Sequence, residues 1–498
     1  MKFKNLSRVE RNMLTGLFCQ FVTILLSFLM PRLYLTYYGS GVNGELNTIK
    51  QLFAYLYLLE AGVGLATTQA LYRPVAMDDH QTVSEILAAT DHYYRRTGTL
   101  YAFIVVAIGV VYPMVVHFTL PRGVVLLYTI LYGLPSVTSF FVQAKYRLLM
   151  DVDGRRYVLS NLETATNLIS GIGKVLVLML TQNLLAMQLL YCLCSMLPIP
   201  VILWYTHKNY PWIDHHAKPD YSAVAQKNSV LMHQLSGVIF NNTDMVLLSY
   251  FCNFQLVSVY SIYNMFFVQI VFVMNLFLNS ISFRMGQIFH TDRERFLGLF
   301  DLCETLYLAF VAFCYTMTAA FLLPVIRIYT SGIHYIDAFL LLLFALKAVL
   351  DSGKGIYHHV VQYEGAFQQT RWHALAEMTI NLTVTLIGIQ FFGIYGCLFG
   401  TLAALLCRLV LIFRYTYRNI LHQSMARPAL KWGCYLGLMA LILRIVGIQS
   451  RPELSLPGVI GVALLHMIWI GAAFAGAAFL FDHDLLRKLR ALRSSIRS

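Results

Sequence analysis

Apolar runs of roughly twenty residues recur along the whole of this chain, and they limit its fold more than any other feature. A bilayer core about 30 Å thick is crossed by about 20 helical residues. Runs of that kind lie near 13–38, 43–72, 96–117, 122–146, 159–181, 184–206, 226–251, 256–285, 298–325, 334–352, 371–393, 395–418, 429–448 and 457–481, which makes about fourteen spans. Inside hydrocarbon each backbone N–H and C=O must be bonded within its own segment, so these spans are expected to be helices. Only 12% of the 498 residues are charged, against about a quarter in a soluble domain. The expectation is an all-α polytopic membrane protein, not a set of soluble domains with one anchor.

The spans come in pairs joined by short turns such as Gly39–Val42 and Gly393–Gly396, with longer polar segments (Arg73–Arg95, Thr206–Gln226, Lys354–Thr370) between pairs. The formal net charge is +13, and its layout explains it. Arg8, Arg11, Arg73, Arg95, Arg96, Lys145, Arg147, Arg155, Arg156, Lys208, Lys218, Arg293, Arg295, Lys354, Arg371, Arg414, Arg418, Arg427, Lys431 and the basic tail fall at the N-terminus or in every second loop. The alternate loops hold only Arg122, Arg327, Arg444 and Arg451. The positive-inside rule then places both termini in the cytoplasm, so the basic balance reflects topology and not nucleic acid.

The nine cysteines lie almost entirely within apolar runs. Cys192 and Cys194 lack metal-site spacing, and no second pair completes a ligand set, so no metal and no cofactor is expected. The basic start followed by an apolar run resembles a signal peptide. The run continues for about 25 residues without a small-residue cleavage site, which reads as an uncleaved first helix. The tail 482–498 sets Leu485, Leu489, Leu492 and Ile496 on one helical face with arginines elsewhere, as an interfacial helix or a solvated end would. Val42-Asn43-Gly44-Glu45 opens the second span and Val257-Ser258-Val259-Tyr260 opens the eighth. That offset of six helices hints at two related halves.

Five cations and some acids sit where a membrane helix ordinarily carries none: Arg32, Lys50, Lys174, Lys347, Arg408, Glu60 and Asp244. Charges at such depth usually face a bundle interior or a water-filled cavity and mark a pathway. Arg32 follows Pro31, which is expected to kink its helix. Lys50 and Lys347, closer to helix ends, equally fit side chains that snorkel to the headgroups. Glu60, followed by Gly62 and Gly64, reads either as a structural ion-pair partner or as an acid that couples an ion to transport. Asn228, His233, Gln234 and Asn264 offer hydrogen bonds for a sugar or between helices. His215-His216 and His358-His359 are expected in exposed loops.

Pro31-Arg32-Leu33, Tyr38-Gly39, Val42-Asn43-Gly44, Leu59-Glu60-Ala61-Gly62-Val63-Gly64, Leu71-Tyr72-Arg73-Pro74 and Asp78-Asp79 look like the first two helices of prokaryotic polysaccharide flippases. These are the O-antigen and capsule repeat-unit flippases of the multidrug/oligosaccharidyl-lipid/polysaccharide exporter superfamily. His233-Gln234, Asn242-Thr243-Asp244, Ser258 to Ser261 and Tyr395-Gly396 to Gly400-Thr401 resemble their seventh, eighth and twelfth helices. The resemblance implies two pseudo-symmetric six-helix bundles, 1–206 and 226–418, with two further helices in 429–481 and a cytoplasmic tail. It also implies an alternating central cavity, a polyprenyl-diphosphate-linked oligosaccharide moved from the inner to the outer leaflet of the bacterial cytoplasmic membrane, and possible partners among polysaccharide polymerases and other glycan-assembly proteins.

On that reading Arg32, Lys174, Arg408, Lys50 and Asn264 are the expected substrate ligands, because guanidinium and ammonium groups bind diphosphate. Glu60 and Asp244 are the expected cavity acids. A multidrug-type cation antiporter of the same superfamily would instead need a net acidic cavity. A membrane polymerase or ligase would need a long external loop with catalytic groups, and no Walker A, zinc or dinucleotide pattern is present. The chain is therefore not expected to be an enzyme. A non-transporting membrane partner of a glycan-assembly complex is the remaining alternative.

Overall fold

The computed structural model describes residues 8–221, 227–331, 337–448 and 455–482. Within them every regular element is helical: α1 (Arg8–Ala76), α2 (His80–Val115), α3 (Arg122–Val142), α4 (Ala144–Val152), α5 (Arg156–Thr181), α6 (Leu184–Met196), α7 (Pro198–Asn209), α8 (Lys227–Phe251), α9 (Phe254–Thr291), α10 (Arg293–Tyr329), α11 (Ala338–Glu364), α12 (Phe367–Phe392), α13 (Ile394–Tyr415), a π-helical turn (Thr416–Leu421), α14 (Ala426–Val446) and α15 (Leu456–Phe481). Eleven helices among the described residues are long and apolar enough to cross a membrane. Large apolar side chains such as Phe103, Leu180, Phe391 and Ile468 stand exposed on their outer faces. Such surfaces suit lipid and not water. The chain is a multi-pass membrane protein.

The first two expected spans are one helix, α1, broken at a single residue. Gly39 has φ 81 and ψ −176, a conformation open to glycine and strained for residues with a Cβ. Residue 31 keeps helical dihedrals, and the break in the dihedrals of α1 falls at Gly39. A proline removes one N–H donor, but it need not drive its own φ away from the helical value that its ring already prefers.

Several helices run beyond their apolar cores. α2 starts at His80, and α11 continues to Glu364, where Gly365 ends it at φ 69. His358 and His359 therefore lie in α11 and not in a loop, both half-buried, with a His359 ring nitrogen 3.1 Å from Ser282 Oγ. Hydropathy marks only the lipid-matched part of a helix, and polar residues extend it without changing its period. His215 and His216 are exposed in the segment 210–221, as expected. That segment folds back on α2: the Trp212 ring stacks on His80 at 4.0 Å, and the Asp214 N–H donates to Ser84 Oγ at 3.1 Å. The tail from residue 483 lies outside the described residues, as do the side chains of Asn228, His233 and Gln234.

By its packing the chain divides into Met1–Ser258 and Val259–Ser498. In the first unit α1 packs on α8, α5 and α2, and α3 joins α2 to α6. Its core contains Ile49, Phe53, Leu56, Tyr101, Tyr128 and Met187. In the second unit α12 and α13 form a close hairpin, α11 packs on α13, and α14 and α15 both lie on α10. A buried polar knot fixes α14. Lys431, counted from sequence among the surface charges, is 0% exposed; its Nζ lies 2.8 Å from Glu304 Oε2 and 2.7 Å from Asp301 Oδ1. Tyr357 and Tyr417 each donate a hydroxyl to Glu304 Oε1, at 2.9 and 2.6 Å, and Trp432 Nε1 donates to Tyr357 at 2.8 Å. A buried ion pair is tolerated where its remaining lone pairs are met in this way.

Candidate functional site

The interior of the first unit is built from α1, α3, α5 and α6. α5 carries Lys174, half-buried, and α1 carries Lys50, whose side chain is exposed. The two ammonium groups are close enough to repel each other. Among the described residues neither forms an ion pair. Lys174 Nζ sits 4.4 Å from the centre of the Tyr191 ring, where the ring's negative face attracts a cation. Tyr191 begins a row of parallel rings, with Tyr132 6.2 Å away and Tyr128 a further 6.3 Å on. Phe53 meets Tyr132 edge-on at 4.7 Å. Two unpaired cations at the end of an aromatic row make a site for an anion attached to something with flat apolar faces.

Glu60 lies farther along α1, facing Arg147 of α4. Both line a cleft of about 540 Å³ with Thr68, Ser136, Ser139, Gln143, Asp151, Arg156 and Ser195. Phe140 of the cleft packs on Tyr101 at 5.4 Å between ring centres, and Tyr101 lies 6.3 Å from Phe53. Arg147 also pairs with Glu163 of α5, and Arg156 lies 3.3 Å from Asp151.

The remaining expected residues go elsewhere. Arg32 is exposed on α1 and makes no ion pair among the described residues. Asp244 is buried on α8 beside Tyr55, whose hydroxyl lies 2.7 Å from Thr243 Oγ1. Packing therefore puts this acid against α1 in the first unit. Arg408, on α13, is buried in an ionic network of the second unit. Its Nε is 3.7 Å from Glu377, which also takes Lys354 at 2.7 Å, while Lys354 reaches Asp351 at 3.0 Å. Lys347, expected near a helix end, lies well inside α11 and donates to Tyr260 Oη at 3.0 Å. Asn264 is half-buried on α9.

Sequence reasoning passed over three features. The tyrosine row was readable, since Tyr128 and Tyr132 stand four apart on one helical face. Glu45 accepts from both the N–H and the hydroxyl of Thr119 and is fully buried; it stands in the motif that served only as a helix start. Gln143 carried no signal at all.

No family model matches the chain, and no curated protein matches it by sequence. Comparison with solved structures shows that the chain shares its fold with a lipid flippase and with multidrug transporters. A lipid II flippase, MurJ, in an inward closed conformation superposes with TM-score 0.68 at 14% identity, over 95% of this chain and 100% of that one. An inward-facing multidrug resistance transporter of the MATE family gives 0.62 at 12% identity, over 80% and 94%. A MATE transporter from Vibrio cholerae gives 0.56 at 15%, over 84% and 98%.

Proposed function

We propose that this protein flips a polyprenyl-diphosphate-linked oligosaccharide from the inner to the outer leaflet of the bacterial cytoplasmic membrane by alternating access, for cell-surface polysaccharide synthesis. Both termini would lie in the cytoplasm, and polymerases of the same assembly line would take the product. The observation that carries this reading is the Lys50–Lys174 pair, two mutually repelling ammonium groups without a carboxylate beside them among the described residues. A diphosphate relieves that repulsion, and sugar rings present C–H faces suited to Tyr191, Tyr132 and Tyr128. A cation antiporter would place acids where these lysines stand.

The test is flipping of a fluorescent polyprenyl-diphosphate oligosaccharide by purified protein in proteoliposomes. A hydrogen bond to a charged group contributes about 1.5–3 kcal/mol, so Lys50→Ala with Lys174→Ala should slow flipping by at least about tenfold. Arg32→Ala, at a side chain with no part in that pair, should leave it intact. Full flipping by the double lysine variant would overturn the assignment of the diphosphate site, and no flipping by the wild type would overturn the function.

A further inference from the structure

The 540 Å³ cleft below Glu60 is chemically unlike the lysine pair. Its size falls within the about 300–1,000 Å³ of small-molecule sites. Its charges largely answer one another: Arg147 is shared between Glu60 and Glu163, and Arg156 lies against Asp151. The wall holds two carboxylates and two guanidiniums, and Glu163 behind it also takes Arg147, so no net positive charge is left for a phosphate. What remains is a set of hydroxyls (Thr68, Ser136, Ser139 and Ser195) with Phe140 as an apolar face.

Within that wall one hydrogen-bonding atom stands out. Gln143 occupies the break between α3 and α4, where it caps both helices, and it is 4% exposed. Its Nε2 donates to Ser139 Oγ at 3.1 Å, which fixes which way the amide points. Its Oε1 is buried and has no hydrogen-bond partner. Buried polar atoms are nearly always paired, and a stranded acceptor costs about 1–3 kcal/mol. An unpaired acceptor held in place by its own nitrogen, on a residue that lines a hydroxyl-bearing cleft, is set to receive a donor from a ligand.

We infer that this cleft is a separate sugar subsite, in which Gln143 Oε1 accepts a hydroxyl or acetamido N–H from an uncharged sugar ring. The inference rests on the flippase reading above and adds to it a division of labour. The lysine pair holds the diphosphate that every such lipid shares, and the α3–α4 break reads the glycan that distinguishes one lipid from another. Gln143 is thus a specificity residue, and Ser139 positions it.

The experiment compares binding of two probes to the purified full-length protein: polyprenyl diphosphate alone, and polyprenyl diphosphate bearing a neutral trisaccharide that contains an N-acetylated sugar. The readout is the ratio of the two affinities. Wild type should prefer the glycan-bearing lipid. Gln143→Leu should cut that preference by about tenfold while leaving the bare lipid unchanged. Ser139→Ala, which frees the amide without touching its bulk, should cut it by a smaller factor and decides the matter if the leucine variant does not fold. A preference unchanged in the folded variants overturns the subsite while leaving the flippase standing. Loss of binding to both probes in Ser139→Ala assigns the region to architecture and overturns it as well. Thermal stabilisation of wild type by sodium chloride over choline chloride, lost in Gln143→Leu, would give the amide to a cation and overturn the sugar assignment. Failure of the wild type to bind either lipid overturns the flippase reading itself, and the subsite with it.

Discussion

Lys50, exposed on α1, and Lys174, half-buried on α5, are like charges on two packed helices of the first unit. Sites of this kind trade stability for function. Lys50→Gln should accordingly raise the unfolding midpoint of the ligand-free protein only slightly, because solvent screens an exposed charge, while weakening binding of a diphosphate lipid; a thermal melt beside a binding curve reads both. At the edge of the membrane, Asp79 caps α2 by accepting from Thr82 N at 3.1 Å and Thr82 Oγ1 at 2.6 Å. Those bonds, the hydroxyl's first, hold its carboxyl below the usual carboxylate range. A depressed native value means that the cap is fully present above the ordinary Asp value of about 3.9 and is lost as pH falls through the lower native one. The protection of amides in the first turn of α2, taken relative to their intrinsic exchange rate at each pH, should be flat from neutral pH to about 4 and fall below it. Asp79→Asn, which still caps, should remove that dependence.

Elements are joined here by single side chains that hydropathy cannot see. Lys431→Met leaves Glu304 ionised and buried, and breaking a buried pair from one side costs about 3–5 kcal/mol. The double change Lys431→Met with Glu304→Gln should recover much of that loss, as a double-mutant cycle in chemical denaturation would show. At the start of the second half of α1, a Cβ on Gly44 would stand 1.8 Å from the carbonyl oxygen of Phe254. Gly44→Ala should therefore push apart α1 and the start of α9, with a loss of several kcal/mol, on the order of other overpacking changes or larger; the melting temperature of the variant checks it. The helices themselves were legible, because a lipid-matched apolar run admits few other structures. Their ends were not: α2 and α11 continue through polar residues whose helical period is unmarked by hydropathy. The burial of Lys431 depends on a partner 127 residues away, and no local pattern announces such a pairing.

For the molecule as a whole, a substrate carrying two negative charges outward through an inside-negative membrane gains about 2.3 kcal/mol per charge per 100 mV. Flipping in proteoliposomes should thus speed up when valinomycin and an outward potassium gradient impose an inside-negative potential and slow when potassium is made equal on both sides; indifference to the potential would require a cation to accompany the lipid. The class of fold could be read from the alternation of apolar runs and basic loops. Charges lodged in apolar runs could be singled out from the sequence, but not which of them lie together. That depends on α1 lying against α5, which brings Lys50 to Lys174, and on α12 and α13 pairing, which commits Arg408 to Glu377. The knot under α14 also bears on how such chains diverge. Glu304 is tolerable only while Lys431 covers it, so a descendant that lost its last two helices would keep a bare carboxylate in hydrocarbon. Truncation at α14 and replacement of the acid at position 304 should therefore be inherited together, and a lineage with one change and not the other should be short-lived.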